Sequence, residues 1–215
     1  MWLNIGPPAV SASITILPFE FLSGTTMHRE IFVTTGATAD FQDLLANAVS
    51  DETLQALSDL SFTHLTIQGG KLGDYFQGIR PENTRGVSIR FFDFNKNGLQ
   101  QEMKACQARE GVSEEGLVVC HAGAGTILDA MRLGLPLVVV PNVSLLDNHQ
   151  EELADELERQ GYVVKSDTKD LAAAIKKATK ISRKAWGTST NEKGGIAPIA
   201  DKLIGYEEEV KGRLD

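Results

Sequence analysis

Cysteine is scarce in this chain. Cys106 and Cys120 are the two thiols among 215 residues. That is too few for the disulfide framework of a small secreted domain, and they lack the paired spacing of a zinc site. A reducing, cytoplasmic setting is the simpler expectation. His28, His64, His121 and His149 are scattered without ligand spacing, so no metal is expected. Long apolar runs are also missing. Leu133–Pro141 falls far short of the roughly 18 to 20 residues that cross a bilayer, so no direct membrane span is expected. Basic charge is in deficit: 21 Lys and Arg stand against 29 Asp and Glu, a net charge of −8. That balance argues against a nucleic-acid partner. The one dense basic stretch, Lys176–Lys184, alternates lysines with small apolar residues and reads as a solvated helix face. The first 26 residues have no basic region ahead of their apolar part and are not expected to be a secretory signal. They read as an atypical N-terminal arm, with Met27 a candidate natural start. Absent too are GxGxxG, the P-loop lysine and the GxSxG elbow, which disfavours simple NAD or ATP fingerprints and serine-hydrolase chemistry.

What is present is an alternation of two periods. Short apolar runs at 31–35, 63–68, 87–92, 116–120, 137–140 and 162–165 read as strands. Stretches of helical spacing lie between and after them: 39–60, 99–109, 124–133, 148–160 and 171–179, with a last helix at 199–210. Residues 71–86, rich in Gly, Pro and Asn, read as a loop. Strands alternating with helices predict an α/β, Rossmann-like, mainly parallel sheet with helices on both faces. The division expected is an arm over 1–26, a domain over 27–185, and a linker with a C-terminal helix over 186–215. Ligands of such sheets bind beyond the carboxyl ends of the strands. Attention therefore falls on the loops after Thr35, Cys120 and Val140.

The strongest signal is His121-Ala122-Gly123-Ala124-Gly125-Thr126, set between a buried strand and a helix. Small residues there let backbone N–H groups approach an anion, and the helix start adds about half a positive charge. A diphosphate is the natural guest; a tight turn with glycines serving packing alone is the other reading. Asp129 lies one turn on and can reach back to a ribose, or it is a solvent-facing carboxylate. Asp147-Asn148-His149-Gln150 opens the next helix. It is a capping box, a set of amide and imidazole groups for sugar hydroxyls, or both. Thr35-Gly36-Ala37-Thr38 is a second phosphate contact or a plain strand–helix turn, and Gln68-Gly69-Gly70 closes the neighbouring strand beside the same crevice.

Three segments in this order, FVTTGAT (32–38), HAGAGTILDAMRLGLPLVVVPN (121–142) and DNHQEELADEL (147–157), closely resemble one family. It is that of the catalytic subunits of the eukaryotic transferase that adds the second N-acetylglucosamine to dolichol-diphosphate-GlcNAc. That family is similar to the C-terminal half of the bacterial lipid-intermediate GlcNAc transferase, a GT-B enzyme of glycosyltransferase family 28 type. The resemblance covers roughly residues 28–180. It implies UDP-GlcNAc as a substrate, with no cofactor. Gly123, Ala124, Gly125 and Thr126 would cradle the diphosphate, Asp129 the ribose, and Asn148, His149 and Gln150 the sugar, with Asn142 a further donor-binding residue. The Phe92 backbone would meet uracil, and Thr35, Gly36 and Thr38 would face the phosphates. It further implies an inverting β-1,4 transfer to a lipid-linked GlcNAc diphosphate acceptor. A membrane-anchored subunit would bind that acceptor and recruit this chain to the cytosolic face of the endoplasmic reticulum, docking in part through residues 196–214. The catalytic base would lie on that partner, with His121 the local candidate. Residues 1–26, the loop at 78–86 and the stretch 110–115 depart from the family pattern, and Ala37 stands where Thr is common. A non-catalytic sugar-nucleotide-binding subunit, a stand-alone half acting as a homodimer and an inert interaction domain are the alternatives.

Overall fold

The computed structural model describes residues 27–36, 39–144 and 149–181. Six strands form one sheet: β1 (Glu30–Thr34), β2 (His64–Gln68), β3 (Ser88–Phe92), β4 (Leu117–His121), β5 (Leu137–Val140) and β6 (Val164–Lys165). Their order is β3-β2-β1-β4-β5-β6, and every neighbouring pair is parallel. The central strands are short apolar runs buried throughout, EIFVT in β1 and LVVV in β5. That pattern belongs to strands covered on both faces.

Alternate residues feed two separate cores. Ile31, Val33, Leu65, Ile67, Val119 and Val138 pack with one layer: α1 (Gln42–Ala48), α2 (Asp51–Asp59), α3 (Gly73–Ile79) and α7 (Leu171–Ala178). Phe32, Val118, Cys120, Leu137 and Val139 pack with the other: α4 (Gln100–Ala105), α5 (Ala124–Arg132) and α6 (His149–Arg159). The chain winds helices onto one face from β1 to β3, then crosses to the other face. The crossover makes β1 and β4 neighbours, and the crevice at their carboxyl ends is the topological switch point of an open α/β sheet. The Rossmann-like reading is therefore correct.

Two elements differ from the sequence reading. The long helix expected over 39–60 is two helices. The Ser50 side chain accepts a hydrogen bond from the Thr53 N–H at 3.2 Å and caps α2, so the chain restarts where the apolar spacing runs on unbroken. The loop expected over 71–86 contains α3. Phe76, 2% exposed, buries itself beside the sheet and stacks on Phe91 at 4.5 Å, which outweighs the poor helix propensity of Gly73 and Gly78. The helix expected over 199–210 lies outside the described residues.

Candidate functional site

Thr34 lies opposite both Gln68 and Cys120, so β1 and β2 end level and β4 runs one residue further, to His121. The turns that follow leave the sheet side by side. Gly36 adopts φ +86°, and a Cβ there would lie 2.7 Å from His121 Cε1. A Cβ on Gly123 would lie 2.3 Å from His121 Nε2. Real side chains do not approach so closely, and the positive φ adds its own cost at Gly36. Both glycines are thus required by the imidazole wedged between them. At Gly36 and Gly123 the lack of a side chain makes room for this ring.

Gly125 is different. A Cβ there would meet nothing within 4 Å, and its φ is not in the left-handed region. It is exposed in the first turn of α5, whose start, Gly123, supplies no side-chain cap. The Gly123 N–H is spent on the His121 carbonyl at 2.7 Å. The N–H groups of the next residues have no partner within the helix, as at any helix start. The buried side chains Ile127, Ala130 and Met131 fix the other side of α5 in its core. The result is an anchored helix whose uncapped N-terminus opens onto free space at the switch point. Such a surface receives an anion through backbone N–H groups and the helix dipole.

Burial holds the His121 pKa below the ordinary imidazole value, partly offset by the Thr34 backbone. Its Nδ1 is buried and lacks a hydrogen-bond partner of proper geometry. The ring is therefore neutral near pH 7, and any positive potential at the start of α5 comes from backbone dipoles rather than from this side chain. Cys106 and Cys120 are free and buried; burial pushes both thiols up, Cys106 to about 12, so neither offers a thiolate.

The remaining predicted residues sit around this centre. Thr35 is buried, and its N–H and hydroxyl both donate to the Gln68 carbonyl, at 3.0 and 3.3 Å. Ala124 is the first residue of α5, and half-buried Thr126 lies in the same first turn. Asp129 pairs loosely with Arg132 at 3.4 Å on the exposed flank of α5. Phe92 lies parallel to Phe32 at 6.5 Å, and its carbonyl accepts from the Gly69 N–H at 3.1 Å. Asn142 is turned inward. Its Oδ1 accepts from the Ser144 N–H and hydroxyl, and its backbone N–H donates to Gln150 Oε1 at 3.2 Å. The side chains of Asn142 and Gln150 thus hold the β5–α6 loop. Thr38, Asp147, Asn148 and the His149 side chain lie outside the described residues. Two further residues of this pole escaped the sequence reading. Phe94, 62% exposed, projects from the loop after β3. The Gln68 side chain, read only as part of a glycine turn, joins the β1 and β3 loops.

The family model described as the glycosyltransferase family 28 C-terminal domain matches residues 30–201. A relative from Yarrowia lipolytica named UDP-N-acetylglucosamine transferase subunit ALG13 is 36% identical over 146 residues, covering 68% of this chain and 69% of its own. One of the same name from Cryptococcus neoformans is 32% identical, covering 82% and 97%. A mouse relative of that name is 36% identical but matched over 10% of its length. The solution structure of ALG13 superposes with a TM-score of 0.61 at 27% identity, covering 84% of this chain and 98% of that one. Acinetobacter baumannii MurG superposes at 0.51 with 17% identity over 71% of this chain and 40% of its own, a likeness of fold. With a family model spanning most of its length and relatives at this identity, the chain belongs to glycosyltransferase family 28, as a domain of its C-terminal type.

Proposed function

We propose that this chain is the UDP-GlcNAc-binding catalytic subunit of an inverting β-1,4-N-acetylglucosaminyltransferase. Its product would be dolichyl-diphosphate-chitobiose in the assembly of the N-glycan precursor. The observation that carries the reading is the open, uncapped start of α5 at the β1–β4 switch point. The names of the relatives supply the donor and the word subunit.

The diphosphate would lie on the N–H groups of Ala124, Gly125 and Thr126, with Gly36 and His121 behind it. Asp129 would take the ribose hydroxyls, exchanging its weak exposed pair with Arg132 for two hydrogen bonds. Phe92 and exposed Phe94 would receive the uracil, the latter offering a ring face for stacking. Asn142 and Gln150 would hold the loop that presents Asn148 and His149 to the sugar. In the transfer, an acceptor hydroxyl attacks the anomeric carbon, the bond to the β-phosphate oxygen breaks, and UDP departs with the electron pair. Charge grows on the leaving diphosphate, so preorganised N–H groups stabilise the transition state more than the ground state. The acceptor proton passes to a general base. His121 is unprotonated and free to accept, but the burial that keeps it neutral penalises the imidazolium it would become. The base is therefore better sought on the acceptor-binding partner, a membrane-anchored subunit that would bring this chain to the cytosolic face of the endoplasmic reticulum. Among the described residues no helix is long and apolar enough to cross a membrane.

Calorimetric titration of UDP-GlcNAc into the purified chain tests the donor site, and addition of the partner tests turnover. Binding without the partner and transfer only with it is the expected pair of results. Absence of binding overturns the donor-site reading, and turnover by the chain alone overturns the division of labour.

A further inference from the structure

We propose that Gln68 is a positioning residue whose side-chain amide fixes the distance between the β1 and β3 loops, and so couples the diphosphate end of the donor site to its nucleobase end. This rests on the reading that a UDP-sugar lies across those loops.

Gln68 ends β2 between its two neighbours, with Thr34 on one side and Phe92 on the other. It is 2% exposed. Its Oε1 accepts from the Thr34 hydroxyl at 2.6 Å. Its Nε2 donates to the Asp93 carbonyl at 2.8 Å and, more weakly, to the Gly36 carbonyl at 3.4 Å. The three partners fix the orientation of the amide, because turning it over would set its oxygen against two carbonyl oxygens. Each Nε2 hydrogen thus goes to a different loop: one to the turn that backs His121, the other to the residue before Phe94.

The sheet does not need this side chain. Parallel pairing of β2 with β1 and β3 is complete through the backbone, and a buried apolar residue would avoid the cost of desolvating an amide. Backbone bonds already tie each loop to the β2 turn, the Thr35 N–H to the Gln68 carbonyl at 3.0 Å and the Gly70 N–H to the Asp93 carbonyl at 2.9 Å; what the amide adds is one side chain that reaches from the β1 loop to the β3 loop directly. Gly36 is in turn pressed against His121, and His121 against Gly123, so a shift at Gln68 is passed to the start of α5. A ligand that touches one loop is indifferent to their separation. A ligand that spans both is not.

The full-length chain and its variants Gln68→Met, Thr34→Val and Thr34→Ser are titrated with UDP, with uridine and with inorganic pyrophosphate, and their thermal unfolding is followed in parallel. Gln68→Met keeps the volume and removes all three hydrogen bonds. It is expected to weaken UDP about tenfold while uridine and pyrophosphate each change by less than about threefold. Thr34→Val, which frees the amide to turn, weakens UDP in the same direction by a smaller factor, and Thr34→Ser restores it. The coupling role falls if Gln68→Met leaves UDP binding within twofold of the wild type. It also falls if UDP and its fragments weaken equally, or if the Val and Ser variants behave alike. Failure of the wild type to bind UDP is a separate result that removes the donor site itself.

Discussion

The two poles of the sheet are held by different chemistry. At the amino pole a guanidinium makes the main side-chain ties. Arg29 donates from Nε to the Glu115 carbonyl at 2.8 Å and from Nη1 to the Leu60 carbonyl, and its guanidinium lies 4.4 Å from the centre of the Phe62 ring. His28 sits 3.0 Å from the Glu30 carboxylate, which also accepts from the Thr66 hydroxyl. At the carboxyl pole the side-chain ties are neutral, made by the Gln68 amide, the Thr34 hydroxyl and the Asn142 amide, beside an uncharged His121. Charged hydrogen bonds hold more strongly, yet a carboxylate beside the open start of α5 would itself occupy the free N–H groups. The difference teaches a division of labour, in which a part-buried guanidinium ties the amino pole and the buried side-chain ties beside the open helix start are neutral, with the charged groups of that pole, such as Asp93 and Asp129, left toward its surface.

The sharpest way to break that contrast is Gly125→Asp. Its Cβ meets open space, so the fold should survive with the melting temperature little changed. The carboxylate would occupy the space above the N–H groups, and UDP-GlcNAc binding should fall by more than about a hundredfold, on the order of 3 kcal/mol. Calorimetry and thermal unfolding of the same sample read both halves. Binding retained by this variant would remove the diphosphate from the start of α5.

The converse is Arg29→Ala at the other pole. Losing charged hydrogen bonds and a cation–π contact at a half-buried site should cost about 2–3 kcal/mol. That is roughly 5–10 °C in melting temperature for a domain of this size. UDP-GlcNAc affinity measured well below the transition should stay within about twofold. A large loss of affinity there would mean the poles are not separable.

Acid sharpens the comparison through His121. Its folded pKa is lowered, so the unfolded chain takes up a proton that the native protein refuses. This contribution to stability is fully present above the unfolded value of about 6.5 and is lost as pH falls below it toward the folded pKa. Urea unfolding of the wild type and His121→Gln between pH 7.5 and 5 should show a smaller loss in the variant. Equal slopes would mean that His121 is not held neutral by the fold.

Asp129→Ala sits lower on the scale. Removing a carboxylate that hydrogen-bonds a ribose should weaken UDP-GlcNAc about tenfold, roughly 1.4 kcal/mol. UDP should weaken by the same factor, since it carries the same ribose. An unchanged Kd for both ligands would return Asp129 to the exposed flank it shares with Arg132.

The sequence made legible what depends on local pattern. Apolar runs such as Leu137–Val140 marked the strands, and the small residues at 121–126 marked the turn from β4 into α5. Two helices were misread because their cause is not periodic. Ser50 ends one helix and starts another inside an unbroken apolar rhythm, and α3 exists because Phe76 finds Phe91 across the chain. The site divides in the same way. Glycine at 123 and 125 looks alike in sequence, yet one is walled by an imidazole and the other faces open space. That distinction requires knowing where His121 lies. Gln68 was placed beside the crevice by its glycine turn, but its bridging amide left no local sign, since its partners Thr34, Gly36 and Asp93 are brought together only by strand order.

The smallest expected effect tests whether charge or burial matters at the amino pole. Arg85 forms a two-pronged ion pair with Asp51 at 2.8–2.9 Å, a better pairing geometry than any made by Arg29. It is exposed, however, and its partner carboxylate is 69% accessible, so water and salt screen the pair and side-chain entropy opposes it. Arg85→Ala should therefore cost under about 1 kcal/mol, and 0.5 M salt should weaken the wild type toward the variant. Arg29, beside Phe62 and bonded to two backbone carbonyls, should keep most of its contribution in the same salt. If Arg85→Ala instead destabilises as much as Arg29→Ala, the amino pole is held by surface charge rather than by the partly buried guanidinium. Its contrast with the neutral carboxyl pole would then vanish at high ionic strength.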